Sequence, residues 1–326
     1  MIFIVLCHII GFYQFIPGHE ILGQFLNCGV SLFLFISGYL YGNKHIENFK
    51  KWYAKRILTI SAPAIIISAI TITALIIMGQ NIPISSVFAY LFNLEGLLFI
   101  NYSFINTNFF SQISSLGPLW FTTIIMLCYL LVPILEKILN KINQITYYIS
   151  LILLTIVGFT VSCFISDYFA LSYFVIFSIG YFVGNKRLLE NVNTFFLIFY
   201  SCLSVFVVVG RIVLRQYFDG TQLYSSFVTI CQFIIGTWFI VFFFYLNKKT
   251  PKVIERIANS KVMTILDKYS YYIYLVHGIF CIGTFNVFSV FSILPATVIF
   301  LIATISSAIL LKLITSKITT PLLRKL

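Results

Sequence analysis

Acidic side chains are scarce in this chain: nine Asp and Glu among 326 residues, against 21 Lys and Arg. Charged residues make up 9% of the sequence and hydrophobic ones 60%. A water-soluble domain carries roughly 25% charged residues, so the composition excludes one here. The acids are scattered, with no pair placed for general acid–base work and no run of carboxylates for proton or cation coupling, which argues against an ion-driven transporter. Metal-ligand spacings, a Walker phosphate loop, GxSxG and HExxH are all missing, and no metal site is expected. The seven cysteines (7, 28, 128, 163, 202, 231 and 281) fall singly in apolar runs. That excludes a disulfide framework or a zinc site and leaves them as small buried hydrophobes. Internal repeats are also lacking, which removes the usual support for an inverted-repeat transporter.

What the chain does have is a series of apolar runs of about 20 residues, the length that crosses a hydrocarbon core of ~30 Å. Charge and Gly, Pro or Asn punctuation divide them into ten expected spans, at 1–16, 24–42, 57–78, 116–135, 146–166, 168–184, 193–213, 223–246, 269–289 and 295–314. The expected fold is therefore all-α, a polytopic transmembrane helical bundle forming one domain over 1–326. Met1 opens directly into apolar sequence without a basic leader or a small-residue cleavage site, unlike a removable signal peptide. A helix from Met1 to Ile16 rises only ~24 Å. This implies a thin span, or a start that follows further residues.

The net charge of +12 invites a nucleic-acid reading, but its distribution points elsewhere. With the N-terminus inside, the loops 43–56, 136–145, 185–192 and 247–268 and the tail from Lys312 hold 19 of the 21 Lys and Arg. Only Arg211 and Arg215 fall towards the outside. Such asymmetry sets orientation in an inner membrane, with both termini cytoplasmic, and leaves no soluble basic surface for nucleic acid. Two loops stand out. The outward loop 79–115 has no Lys or Arg and is rich in Asn and Ser, including Asn101, Asn106, Asn108 and Ser111; its 85–100 stretch reads as a re-entrant or interfacial segment. The inward loop 247–268 mixes six basic residues with apolar ones at helical spacing, as in a basic helix lying on the membrane surface.

Ionisable groups within spans are candidates for function. They are His8 in the first span, His277 in the ninth and Arg211 near an outer end. Counting helix rise, His8 lies ~10 Å from Met1 and His277 ~12 Å from the start of its span, so both belong to one level in the inner half of the membrane. Histidine takes and releases a proton near neutral pH without a large shift, yet a structural histidine bonded to a neighbouring helix has the same sequence signature. His19, Glu20 and His45 read as interfacial or loop residues. Gly29, Ser37, Gly38 and Gly42 read first as close helix-packing positions. Trp120 and the tyrosines at 269, 271, 272 and 274 read equally as interface anchors.

Four segments in order resemble the integral-membrane acyltransferase family 3, bacterial enzymes that acylate surface polysaccharides and related glycans. They are LCHIIGFY with His8; GVSLFLFISGYL at 29–40 followed by FKKWYAKRILTISAP at 49–63; GPLWFTTIIMLCYLLVPIL at 117–135; and LDKYSYYIYLVHGIF at 266–280. The resemblance implies His8 as catalytic base, with His277 as a second catalytic histidine in the late Tyr-Leu-x-His. It also implies Lys55 and Arg56 at the acyl-CoA side, and Ser37, Trp120, Tyr129 and Tyr274 in supporting roles. The chain departs from the family pattern in three places. The family's Arg about 11 residues before the histidine would precede Met1, a second Arg three residues after Arg56 is Thr59, and a Glu that some members place after the Trp is absent from Thr122 to Met126.

The expected function is a bacterial inner-membrane, multi-pass O-acetyltransferase that moves an acetyl group from cytosolic acetyl-CoA to a hydroxyl of a polysaccharide or lipid-linked glycan. Acetyl-CoA is expected as donor substrate, with no bound cofactor. Membrane lipids, a surface glycan and a second copy of the chain are the expected partners. Cations such as Lys55 and Arg56 suit the phosphates of the donor, Arg giving the better bidentate contact. A polysaccharide-unit transporter or flippase, or an inactive membrane scaffold, are the alternative readings.

Overall fold

The computed structural model describes residues 1–100, 112–164 and 169–326, and all regular secondary structure among them is helical. In chain order the helices are α1 (Ile2–Ile10), α2 (His19–Leu26), α3 (Gly29–Gly42), α4 (Phe49–Arg56) and α5 (Ala62–Ile77). Then come α6 (Ile84–Leu91), α7 (Glu95–Ile100), α8 (Trp120–Leu139), α9 (Gln144–Phe164) and α10 (Phe169–Asn185). The last five are α11 (Thr194–Phe218), α12 (Gln222–Lys249), α13 (Pro251–Ala258), α14 (Lys261–Cys281) and α15 (Ile293–Lys325).

Among the described residues seven helical stretches are long and apolar enough to cross a membrane: His19–Gly42, Phe49–Ile77, Ser114–Leu139, Gln144–Val161, Thr194–Phe218, Ser226–Lys249 and Ile293–Lys325. The sequence pattern expects ten spans. The other three correspond to α1, α10 and α14. Helix α1 has nine residues and rises ~13.5 Å. Gly11, a weak helix former, follows it, and the chain turns through Pro17 and Gly18, where φ is +81°. Helix α10 contributes the shorter apolar stretch Leu171–Asn185, and α14 carries Lys261, Asp267 and Lys268 in its first turns.

Residues 49–56, expected as loop, are helical. The Asn48 side chain caps this segment by accepting the Lys51 N–H at 2.9 Å, a standard N-cap. Between α4 and α5 the ladder loosens into a π-turn over Ile57–Ser61. Pro63 has no N–H for the Thr59 carbonyl, and the Tyr271 hydroxyl donates to the Ile60 carbonyl at 2.6 Å. Both draw this stretch out of α-helical register. The apolar stretch at 85–100 forms two short helices, α6 and α7. Residues Asn101, Asn106, Asn108 and Ser111 of the same loop lie outside the described residues. In the basic loop, α13 sets exposed Val253 and Ile257 beside Lys252 and Arg256, the amphipathic pattern expected there.

The chain divides into two compact units, Met1–Gly23 with Ile46–Tyr129 and Ile265–Leu326, and Gln24–His45 with Leu130–Thr264. The second is built on the pairing of α3 with α10. A Cβ on Gly38 would overlap the Phe177 carbonyl, and one on Gly42 the Tyr181 carbonyl. The relation is reciprocal, since Gly180 meets the Phe35 carbonyl and Gly184 the Tyr39 carbonyl. Two small-xxx-small faces thus press backbone on backbone, which maximises dispersion where no hydrophobic effect drives helices together. Helix α12 joins this pair with Gly236 against Cys28 and Leu32, and α9 is held on α10 by the Tyr147 hydroxyl donating to the Phe182 carbonyl.

Gly38→Ala is expected to cost about 1–3 kcal/mol, the usual penalty of overpacking, because the obstructing atoms are backbone. The melting temperature in detergent should fall by several degrees relative to Gly11→Ala, whose new methyl would find its nearest neighbour at 3.7 Å. Equal melting of the two variants would contradict the close pairing.

Candidate active site

The first unit brings the two candidate histidines together. Helix α1 is fixed by its apolar face, where Val5 and Ile9 pack with Cys281 and Phe300. Just beyond its end Phe12 stacks on Phe288, ring centroids 4.3 Å apart, and the Tyr13 and Thr297 hydroxyls are 2.7 Å apart. These contacts hold α1 against α14 and α15. They place the His8 ring 5.3 Å from that of His277, tilted by 41°. The common level expected from helix rise is therefore also a contact.

His277 is fully buried at 0% exposure. Its Nδ1 lies 2.5 Å from the Tyr274 carbonyl oxygen, one turn back. A carbonyl can only accept, so Nδ1 carries the proton and Nε2 presents a lone pair. That Nε2 is buried and has no hydrogen-bond partner among the described residues. His8 is half-buried, which leaves it the more accessible ring of the pair.

Helix α14 is locked against the beginning of α8. The Tyr274 hydroxyl donates to the Pro118 carbonyl, and its ring lies 5.5 Å from His277 and edge-on to Phe121 at 5.9 Å. Gly278, next to His277, makes the approach sterically feasible: a Cβ there would sit 2.8 Å from the Pro118 ring. Gly283, at φ +79°, lets the chain turn after α14 while passing Ser115, and both features demand glycine.

The expected donor-side cations close α4, and Arg56 is linked to α8 further along its length. Arg56 is half-buried with its guanidinium 5.7 Å from the centre of the Trp52 ring, a cation–π contact, whereas Lys55 is exposed. Trp52 in turn packs edge-on against Tyr129 at 5.4 Å. Phe121 thus meets the histidine side and Tyr129 the arginine side, eight residues apart on α8, or ~12 Å of rise. Trp120 is half-buried at the head of α8 and packs edge-on to Phe121 at 6.1 Å. Its carbonyl stands where a Cβ on Gly96 would fall. Ser37 belongs to the second unit, buried beside Gly38 in the α3–α10 pair. There it has the surroundings of a packing residue.

One polar cluster of the first unit was not foreseen as such. Glu95 is 2% exposed, and its Oε1 lies 3.1 Å from the Thr122 hydroxyl. That hydroxyl also reaches the Leu119 carbonyl at 2.8 Å and the Asn93 side-chain oxygen. Asn93, in the left-handed region at φ +55°, donates through its side chain to Ser61 at 3.2 Å. Its carbonyl accepts from Thr123 at 2.8 Å. One hydroxyl proton on Thr122 cannot serve three oxygen neighbours. A proton on Glu95 would supply a second donor, while Glu95 Oε2 has no partner among the described residues. What the sequence offered was Glu95 itself, an acid inside the otherwise apolar stretch 85–100. Its carboxyl meets Thr122, near the head of α8.

The arrangement offers a half-buried imidazole beside a fully buried one of assigned tautomer, and an arginine that reaches α8 through Trp52 at Tyr129, two helical turns along α8 from the Phe121 that meets Tyr274. It can accept a proton in a dry environment while an anionic group is held at a distance. Among the described residues no group of His, Cys, Asp and Glu could hold a metal ion. A family model described as an acyltransferase domain matches residues 1–313. No curated protein and no solved structure matches the chain.

Proposed function

The chain belongs to the membrane acyltransferase 3 family, and on that footing we propose that it is an O-acetyltransferase of the bacterial inner membrane. Its donor is cytosolic acetyl-CoA and its acceptor a hydroxyl of a cell-surface polysaccharide or lipid-linked glycan. The observation that carries this reading is the contact of His8 with His277, with Arg56 on the same side of α8 as Tyr129 through Trp52.

In the proposed reaction His8 takes the proton of the sugar hydroxyl as its oxygen bonds to the thioester carbonyl carbon. The carbon–sulfur bond then breaks, and the departing thiolate recovers the proton from the His8 imidazolium. His277 cannot rotate freely, because its Nδ1 is tied to the Tyr274 carbonyl, and its buried lone pair gives the charged His8 ring a polar neighbour. Transfer of the acetyl group first to His8 is the alternative order of events. Arg56 would pair with the donor's phosphates, and an extended pantetheine arm can cover the two helical turns from there to the histidines.

The basic residues support the orientation. Nineteen of 21 Lys and Arg share one side if α1, α10 and α14 cross the membrane along with the seven long apolar stretches. Ten crossings then leave both termini in the cytoplasm. Without α10 and α14, the basic ends of α12 and α15 would fall on opposite sides.

His8→Ala is expected to lower glycan acetylation by about 10²–10⁴-fold, the contribution of a positioned general base, with membrane insertion unchanged. Acetylation at the wild-type level would end this mechanism. Arg56→Ala should raise the apparent KM for acetyl-CoA with a smaller effect on kcat. A steady-state assay showing an unchanged KM would remove Arg56 from the donor site.

A further inference from the structure

The second unit contains a cavity of about 430 Å³, open to the surface and lined by Gln24, Arg211, Arg215, Asp219, Thr221 and Tyr224 among others. It lies where α11 ends and α12 begins, and it owes nothing to the histidine site. Arg211 is 8% exposed, and its guanidinium donates through an Nη to the Gln24 carbonyl at 3.4 Å. Its Nε–H is buried and has no acceptor among the described residues. A buried cation whose donors are not fully paired is costly. Among the described residues no carboxylate is ion-paired to Arg211: Asp219 instead faces Arg215, 3.8 Å away and one turn along the helix.

The other walls narrow the chemistry. Thr221 caps α12, its hydroxyl accepting the Tyr224 N–H, so the partial positive charge of a 28-residue helix opens next to the cavity. Tyr224, Thr221 and Gln24 add groups that hydrogen-bond neutral hydroxyls. Ile212, Val213, Phe218 and Leu223 are exposed apolar residues on the same two helix ends, as expected of surface in contact with acyl or prenyl chains. The volume exceeds what a bare phosphate needs.

From the buried, incompletely paired Arg211 at the head of this cavity we infer a binding site for a phosphate-bearing lipid, its phosphate on Arg211 and Arg215, its hydroxylated headgroup on Tyr224 and Thr221, and its apolar chain outside along α11 and α12. Arg is suited to phosphate by its planar fork of donors. Two sources share this chemistry, a membrane phospholipid and a prenyl-phosphate-linked sugar. The placement on the outer side rests on the orientation proposed above, but binding itself does not depend on that orientation or on acetyl transfer.

The test is a titration of the full chain in a neutral maltoside detergent, read by native mass spectrometry. The probes are dioctanoyl phosphatidylglycerol, farnesyl-diphosphoryl-N-acetylglucosamine and, as phosphate-free control, dioctanoylglycerol. At least one phosphate probe should bind wild type more tightly than the control, and Arg211→Gln should weaken it by about tenfold or more, as for loss of a charge-assisted contact. Tighter binding of phosphatidylglycerol identifies a resident lipid, and tighter binding of the sugar probe identifies an acceptor. If Arg211→Gln fails to fold, Arg215→Gln, half-exposed and leaving Asp219 unopposed, should show the same direction of change. Phosphate probes that bind no better than dioctanoylglycerol, or affinities unchanged in a folded variant, would overturn the proposal.

Discussion

Helix α14 can approach the head of α8 only because position 278 has no side chain. Gly278 lies against the Pro118 ring, and one turn earlier Tyr274 closes the contact by donating to the Pro118 carbonyl. Away from water, a carbonyl without a donor and a hydroxyl without an acceptor are each costly, so this bond fixes the register of the two helices as well as their distance. His277 sits between these two residues on the α14 surface. Its burial, its tautomer and its separation from His8 all follow from that seam, and α1 then has one place to dock.

The same economy of polar groups organises the rest of the first unit. Ser61, Asn93, Glu95, Thr122 and Thr123 come from three separate stretches and are hydrogen-bonded to one another, with the Glu95 carboxyl only half engaged. This cluster braces α7 and the loop before it against α8, one turn below Pro118. The second unit uses the opposite device, four glycines that remove side chains altogether so that α3 and α10 meet through their backbones. Each unit thus supplies rigidity without a water-driven core.

Much of this was legible residue by residue, and the failures have physical causes. The helical class followed from apolar run length, and the level shared by His8 and His277 followed from helix rise. Whether they face one another depends on rotation about two helix axes, which spacing does not encode. Gly38 and Gly42 were legible as packing positions, but their partners Gly180 and Gly184 lie 142 residues further on and carry no local mark. The basic segment 49–56 reads as loop by composition, yet Asn48 caps it into helix. The first apolar run reads as 16 residues and the helix stops at Ile10, because Gly11 and the Pro17–Gly18 turn outweigh hydrophobicity. The Glu95 cluster could not be assembled in advance, since its members are polar residues ~30 positions apart joined by a turn at positive φ.

The central claim is that His8 and His277 act as one catalytic unit. A double-mutant cycle measures this directly, with purified protein, radiolabelled acetyl-CoA and the rates of the wild type, His8→Ala, His277→Ala and the pair. Residues that work as a unit are strongly non-additive, so the double variant should be no slower than the slower single one. Multiplying losses, or a His277→Ala variant that transfers acetyl at the wild-type rate, would contradict the account.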